Sequence, residues 1–233
     1  MLLKKPSPRA LGAARIARTF LAAAVLVCGI FSLAQARHHR TPTTEGVTGQ
    51  FDYYLLTLSW SPTYCLIHPE DHSECARKGY GFALHGLWPQ FDSGGYPQNC
   101  QSDVSLTPAA EAVGLTVYPS PKLLHHEWQR HGTCSGLDAV DYFRTADRAL
   151  AAVRIPPSLT APPASLLMTS AQIAAEFHAA NPAMPQHGLT IACSRGELSE
   201  VRVCLTRDLM LRSCGRGVRS SCPSFPVEVP SMR

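Results

Sequence analysis

Several patterns that would point directly to a function are missing from this sequence of 233 residues. No two cysteines have the C-x-x-C spacing, so zinc ribbons and thioredoxin-like redox sites find no support. The sequence contains no internal repeat, no heptad array and no boundary between two domains. Its main apolar run has 14 residues, from Phe20 to Leu33, which is short for a membrane span of roughly 20 residues.

The first 36 residues have the pattern of a secretory signal peptide. Residues 1–19 carry five basic side chains and no acidic one, the apolar run follows, and the tripeptide A-Q-A ends at Ala36. This order predicts export and cleavage after Ala36. An uncleaved membrane anchor is the alternative. Cys28 belongs to the discarded run, because Val27 before it is too bulky for a usual lipobox.

Removal of residues 1–36 changes the charge of the protein. The mature chain keeps 16 basic and 17 acidic residues, a formal net charge of −1 with histidine neutral. A general basic field for nucleic acid is therefore absent. All ten histidines remain, so the mature chain becomes more positive in mild acid. We expect a secreted or periplasmic monomer with no membrane contact after cleavage.

Eight cysteines remain in the mature chain. An even number in an exported protein predicts disulfides formed in an oxidising compartment. The count alone allows 105 different pairings. The eight are Cys65, Cys75, Cys100, Cys134, Cys193, Cys204, Cys214 and Cys222.

The mature chain divides into a short leader, one domain and a short tail. Residues 37–50 lack apolar periodicity and are predicted to form a flexible leader. The predicted domain covers 51–225, and 226–233 form a C-terminal tail. Periodicity predicts strands at 51–60, 79–89, 188–193 and 198–206, helices at 120–132, 137–153 and 167–181, and loops at 90–108 and 155–163. Strands and helices do not alternate regularly, so we predict an α+β fold.

The segment "LLHHEWQRHG" holds three histidines, and its spacing argues against a metal site. A zincin helix carries H-E-x-x-H, but here Arg130 occupies the position of the second histidine. His126 and His131 are five residues apart, about 140° around a helix. Zinc needs ligands that converge on one point. We therefore expect no metal and no cofactor.

The same spacing favours acid–base chemistry on a phosphodiester. On a helix, Glu127 and His131 share one face, and His126 and Arg130 share the neighbouring face. A further histidine, His85, lies at the end of a predicted strand. Two histidines can act as base and acid, and a nearby cation can stabilise the charge on phosphorane oxygens. RNA supplies its own nucleophile, the 2′-hydroxyl. Inert surface histidines are the alternative at this point.

Two longer motifs resemble a known family. "FALHGLWP" (82–89) and "HEWQRHGTC" (126–134) are similar to the two active-site signatures of the ribonuclease T2 family, in the expected order. The similarity runs from Phe51 to Cys222. It implies an α+β fold with a central antiparallel sheet flanked by helices, and secreted acid endoribonuclease activity of low base specificity. The absence of an N-x-S/T sequon favours a bacterial member.

The resemblance also implies the reaction. Single-stranded RNA would be cleaved by metal-independent transesterification through a 2′,3′-cyclic phosphate. DNA would not be cleaved, because it has no 2′-hydroxyl. The alternative is an RNA-binding or inhibitory protein on the same scaffold with little activity.

Roles follow from the resemblance position by position. His85 matches the general acid and His131 the general base. His126 matches the histidine that binds phosphate, and Glu127 the acid that assists there. Arg130 stands where the family usually has lysine, and its guanidinium is larger and planar.

Three further residues are candidates for substrate binding. Trp88 matches an aromatic residue of a base pocket, and Tyr96 lies where the family often has another. Gln90 stands where some members have aspartate, so the base preference does not carry over. Trp128 is predicted to be part of the core, and His125 a solvated side chain.

The resemblance implies four disulfides. The pairs are Cys65–Cys75, Cys100–Cys134, Cys193–Cys222 and, enclosed by the third, Cys204–Cys214. Cys100–Cys134 would tie together the segments that carry the acid and the base.

Overall fold

A computed structural model describes residues 46–76, 79–101 and 104–232. The predicted signal peptide and most of the predicted leader lie outside the described residues. The strands are β1 Tyr53–Trp60, β2 Phe82–Gln90, β3 Leu166–Met168, β4 Leu189–Ser194, β5 Glu197–Leu205 and β6 Val227–Val229. The helices are α1 Ser61–Ile67, α2 His72–Cys75, α3 Pro108–Gly114, α4 Pro121–Arg130, α5 Ala139–Ala151, α6 Pro157–Thr160 and α7 Ser170–Ala180.

The six strands form one sheet, and the predicted α+β class is confirmed. The sheet follows the order β2-β1-β5-β6-β3, and β4 also pairs with β5. Pairing is antiparallel apart from one parallel contact, between Glu197 of β5 and Glu228 of β6. Since β1 lies between β2 and β5, side chains on one face of β2 and β5 can meet across it.

Helices cover the main core on one side of the sheet. From α5, Tyr142, Phe143 and Ala146 have no exposed surface. Trp128 of α4 is 5% exposed and packs against both of these aromatic rings, so the prediction that it belongs to the core is confirmed. Large buried side chains of this kind each contribute about 1.5–3 kcal/mol. This packing fixes α4 against the sheet.

A β-bulge gives His85 its position. Thr57 of β1 pairs with Gly86, but the next residue, Leu58, pairs with Leu84, which leaves His85 as the extra residue in β2. A bulge of this kind changes the direction of a side chain and is common beside active sites.

Three segments differ from their predictions. The predicted loop 155–163 contains the short helix α6. The helix expected over 167–181 starts later, because 166–168 form β3 and α7 begins at Ser170. Thr169 makes a capping box with Gln172 that fixes this start. The predicted tail 226–233 contains β6, which pairs with β3 and places Val227 and Val229 in the core. Residues this far apart in sequence give no local signal of their pairing.

The end of the predicted leader is bound to the domain. The Gly49 amide donates to the Cys134 carbonyl at 2.9 Å, and the Thr48 hydroxyl donates to the Thr133 carbonyl at 2.7 Å. Residues 46–50 therefore pack beside the segment that follows α4.

The structure joins the same four cysteine pairs that the resemblance implies. Cys100 and Cys134 are separated by 34 residues and have Cα atoms 5.0 Å apart. In the chain-entropy model a loop of this length contributes about 3–4 kcal/mol. Cys134 has no exposed surface and lies three residues after His131, so this bridge holds the segment that follows α4.

Within the described ranges, none of the helices is both long and apolar enough to span a bilayer.

Candidate active site

The helix α4 begins and ends as its sequence suggests. The Ser120 hydroxyl caps it by accepting from the Leu123 amide at 3.3 Å, and Pro121 occupies the first turn. The helix ends at Arg130, two residues earlier than predicted. His131 is its C-cap and still donates its amide to the Glu127 carbonyl at 3.0 Å. His131 therefore stays on the side of the helix that carries Glu127.

His85 lies between two carboxylates. Its Nδ1 is 2.8 Å from Oε1 of Glu200 on β5, and its Nε2 is 3.7 Å from Oε1 of Glu127. Burial would lower the pKa of His85, but the hydrogen bond to Glu200 and the two carboxylate charges outweigh burial and raise the pKa above its ordinary value of 6.5. His85 is thus disposed to hold a proton. Its side chain is 31% exposed, so it remains open to a substrate.

Trp88 joins the two histidines. Its ring meets the His85 ring edge-on at 5.1 Å and stacks on the His131 ring at 5.0 Å. Its indole N–H donates to Oε2 of Glu127 at 2.6 Å. A side chain at Gly86 would collide with both partners of this bond, so the glycine of the first signature is required by packing. Because His131 stacks on the indole, Trp88 aligns the histidines in addition to any contact with a base.

His131 has the opposite environment from His85. It is 4% exposed, and its Nδ1 has no hydrogen-bond partner among the residues that the structure describes. Burial, followed by the positive charges of Arg130, His126 and His85, lowers its pKa to about 3. The imidazole is neutral across the ordinary pH range and can accept a proton.

Glu127 is fully buried at the centre of the site. Burial raises the pKa of this carboxyl to about 7, against the opposing effects of His85 and the Trp88 N–H. Its Oε1 makes no hydrogen bond within the described part of the chain. Glu127 therefore orients Trp88 through one oxygen and faces His85 with the other.

Arg130 and His126 form the side of the site that carries the Arg130 charge, where His126 is exposed and Arg130 is partly exposed. Burial and then the charges of Arg130 and His85 lower the pKa of His126. An Arg130 Nη donates to the Tyr96 hydroxyl at 3.2 Å, and the Tyr96 ring lies 5.7 Å from the ring of His131. Tyr96 is 41% exposed, so it has free surface for a base. The positive charge of Arg130 beside a neutral histidine makes a suitable place for an anion.

Gln90 differs from its prediction. The side chain is 5% exposed, and its amide nitrogen donates to the Pro89 carbonyl at 3.0 Å. In this structure it offers almost no surface to a substrate. His125, by contrast, is exposed as predicted and lies 3.2 Å from Glu111.

A cavity of about 130 Å³ lies next to His85. Side chains from α1 and α2 line it, together with Leu123 of α4 and Ser199 and Glu200 of β5. It is the space beside the proposed acid, on the side where Glu200 lies.

Sequence reasoning missed Glu200 and Arg202. Arg202 donates Nε to Oε2 of Glu200 at 2.8 Å, its terminal nitrogen binds the same oxygen, and its guanidinium lies 5.9 Å from the Trp88 ring centroid. A signal existed in the sequence: the strand "LSEVRVCLT" carries opposite charges two residues apart, on one face of a strand otherwise rich in apolar residues.

Comparison with known proteins gives the family. A sequence model described as the Ribonuclease T2 family matches residues 51–214, which contain all the residues of the site. The chain belongs to the Ribonuclease T2 family. The expected membership of the T2 family is thereby confirmed.

Individual ribonucleases and ribonuclease-like structures are also similar to this chain. A ribonuclease of Aeromonas hydrophila is 49% identical over 102 residues, which cover 44% of this chain and 46% of the relative. The chain thus spans less than half the length of the first curated relatives it matches. A solved structure of an RNase-related protein from Calystegia sepium has a TM-score of 0.64 at 24% identity, covering 79% of this chain and 99% of that one. Ribonuclease NT, solved with 5′-AMP, has a TM-score of 0.60 at 23% identity, covering 78% and 99%. These structures show the fold.

Proposed function

We propose that this T2-family protein is an endoribonuclease that cleaves single-stranded RNA by transesterification, with His131 as base and His85 as acid. The observation that carries the proposal is the contrast between the two histidines on either side of Trp88. His131 is buried without a partner for Nδ1 among the described residues, whereas His85 lies between Glu127 and Glu200. Environments that separate two pKa values in this way assign the base and the acid.

In the proposed reaction, each of the two histidines transfers one proton. Neutral His131 takes the proton of the 2′-hydroxyl, whose oxygen attacks the adjacent phosphorus. Protonated His85 gives its Nε2 proton to the departing 5′-oxygen, and the phosphate becomes a 2′,3′-cyclic diester.

The cationic side of the site supports the phosphate. Arg130 and His126 are one helical turn apart on α4 and both act electrostatically on His131. We assign Arg130 to the charge that develops on the phosphorane oxygens and His126 to binding of the phosphate. Tyr96, and the part of Trp88 that His131 leaves free, are assigned to stacking with a base.

We also propose that the protein is exported. The pattern of residues 1–36 favours a secreted or periplasmic enzyme, and the disulfides are those expected of an oxidising compartment. We propose that it acts there as a monomer.

An assay on RNA and DNA with and without a chelator tests the function. We expect cleavage of RNA at the same rate with chelator present, and no cleavage of DNA, because DNA lacks the nucleophile. Binding of RNA without cleavage would instead support the inhibitory protein, and loss of activity with chelator would show a metalloenzyme. His125→Ala, an exposed change on the same helix, is the matched control and should behave as the unmodified protein.

The opposite pKa shifts predict a broad, acidic pH profile. The base works only above its own pKa, which is lowered to about 3 for His131. The acid works only below its own pKa, which is raised above 6.5 for His85. The rate constant kcat/KM should therefore be highest below neutrality and fall as pH rises through the pKa of His85. Measurement of kcat/KM from pH 3 to 9 tests this, and a steady rise to pH 9 would contradict it.

A further inference from the structure

The imidazole of His85 is held through the ring nitrogen that faces away from Glu127. Its Nδ1 lies 2.8 Å from Oε1 of Glu200, while Nε2 lies 3.7 Å from Oε1 of Glu127. An acid that must deliver its proton from one ring nitrogen needs the other nitrogen fixed, because a hydrogen bond there sets the orientation and the tautomer of the ring.

Glu200 is itself fixed. The Arg202 guanidinium donates to Oε2, so one carboxylate oxygen binds Arg202 and the other is left for His85. The side chain of Glu200 is 14% exposed. Burial opposes ionisation, but the hydrogen bond and charge of His85 and the charge of Arg202 outweigh it and lower the pKa of Glu200. The lowered pKa favours the charged carboxylate.

We propose that Glu200, anchored by Arg202, is a positioning residue that holds His85 through Nδ1 so that Nε2 delivers the proton to the departing 5′-oxygen. This inference rests on the proposed function, in which His85 is the acid. Glu200 lies 115 residues from His85 in sequence and outside both signatures. When His85 has released its Nε2 proton, the neutral ring keeps its Nδ1 proton, and this N–H still donates to Glu200. The ring therefore stays in the orientation needed to be protonated again at Nε2.

Other charges also act around His85. Six ionisable groups influence it or are influenced by it: Glu74 of α2, His126 and Glu127 of α4, His131 at the end of α4, and Glu200 and Arg202 of β5. Among these groups, Glu200 raises the pKa of His85 through a hydrogen bond to the ring. The charge of Arg202 lowers the pKa of His85. Loss of the Glu200 charge should therefore lower the pKa of His85 and move the alkaline limb of the rate profile to lower pH.

The experiment compares Glu200→Gln with the unmodified protein on two substrates. On RNA, we expect kcat/KM to fall about 10-fold or more, with the alkaline limb at lower pH. On uridine 3′-(4-nitrophenyl phosphate), whose leaving group departs without a proton, the rate should stay close to that of the unmodified protein. Glu197→Gln makes the same change at the start of β5 and is the matched control, expected to leave both rates and the limb unchanged.

Equal losses on both substrates, or an unmoved alkaline limb, would overturn the proposal and show Glu200 as a structural ion pair only. Glu200→Asp provides a second test of the proposal if the glutamine variant does not fold. It should slow RNA cleavage, because the shorter carboxylate does not reach Nδ1, and spare the 4-nitrophenyl ester. His85→Ala in the same assays separates the two proposals. If His85→Ala cleaves RNA normally, the proposed function fails. If His85→Ala is inactive and Glu200→Gln is normal, only the inference about Glu200 fails.

Discussion

Replacement of either His85 or His131 by alanine is expected to lower turnover on RNA by roughly 100-fold or more, the scale of positioned acid–base catalysis. Each change removes one of the two imidazoles that contact Trp88, the proposed acid or the proposed base. The two variants should differ in their pH dependence. His85→Ala should abolish the alkaline limb, whereas His131→Ala should abolish the acidic limb.

The matched control for this pair is His125→Ala, because His125 is exposed on the same helix and contacts only Glu111 in the hydrogen bonds described. Steady-state kinetics of the three variants, with circular dichroism to verify folding, provide the measurement. Near-normal turnover in a folded His85→Ala or His131→Ala variant would remove that residue from its assigned role. His126→Ala should mainly raise KM, since its role is to bind phosphate.

The second large effect concerns Arg130. Arg130→Gln should lower kcat by about 100-fold, the usual consequence of removing a group that stabilises charge in the transition state. Arg130→Lys should retain much of the activity, because the positive charge remains. Loss of this charge also removes one of the causes that lower the pKa of His131, so the acidic limb should move to higher pH in the glutamine variant alone.

Tyr96→Phe is the control for Arg130, because it removes only the hydroxyl that accepts from the guanidinium. It tests whether the effect comes from the charge or from that hydrogen bond. Small and equal effects of the glutamine and lysine variants would show Arg130 to be ordinary surface charge.

The sequence predicts those parts of the site that lie close together along the chain. Ser120, Pro121 and the i,i+4 spacing of the second signature define α4 and the side chains of Glu127 and His131, since helix geometry relates them directly. The strands β1, β2, β4 and β5 also follow from their apolar patterns.

The remaining features depend on contacts between distant segments. Glu200 reaches His85 only because β5 and β2 flank β1 in the sheet, and β6 exists only because it pairs with β3. The bulge at His85 and the inward direction of Gln90 likewise depend on the register between β1 and β2. The short helices α1, α2, α3 and α6 have seven residues or fewer, too short to show periodicity.

The most direct test of the proposed mechanism is the identity of the products from a dinucleoside monophosphate, measured by mass spectrometry with chelator present. We expect a nucleoside 2′,3′-cyclic phosphate together with a nucleoside that carries a free 5′-hydroxyl. We expect no cleavage of the 2′-O-methyl analogue, whose nucleophile is blocked. Cleavage of that analogue, or release of a 5′-phosphate, would contradict a mechanism in which His131 activates the 2′-hydroxyl and His85 protonates the 5′-oxygen.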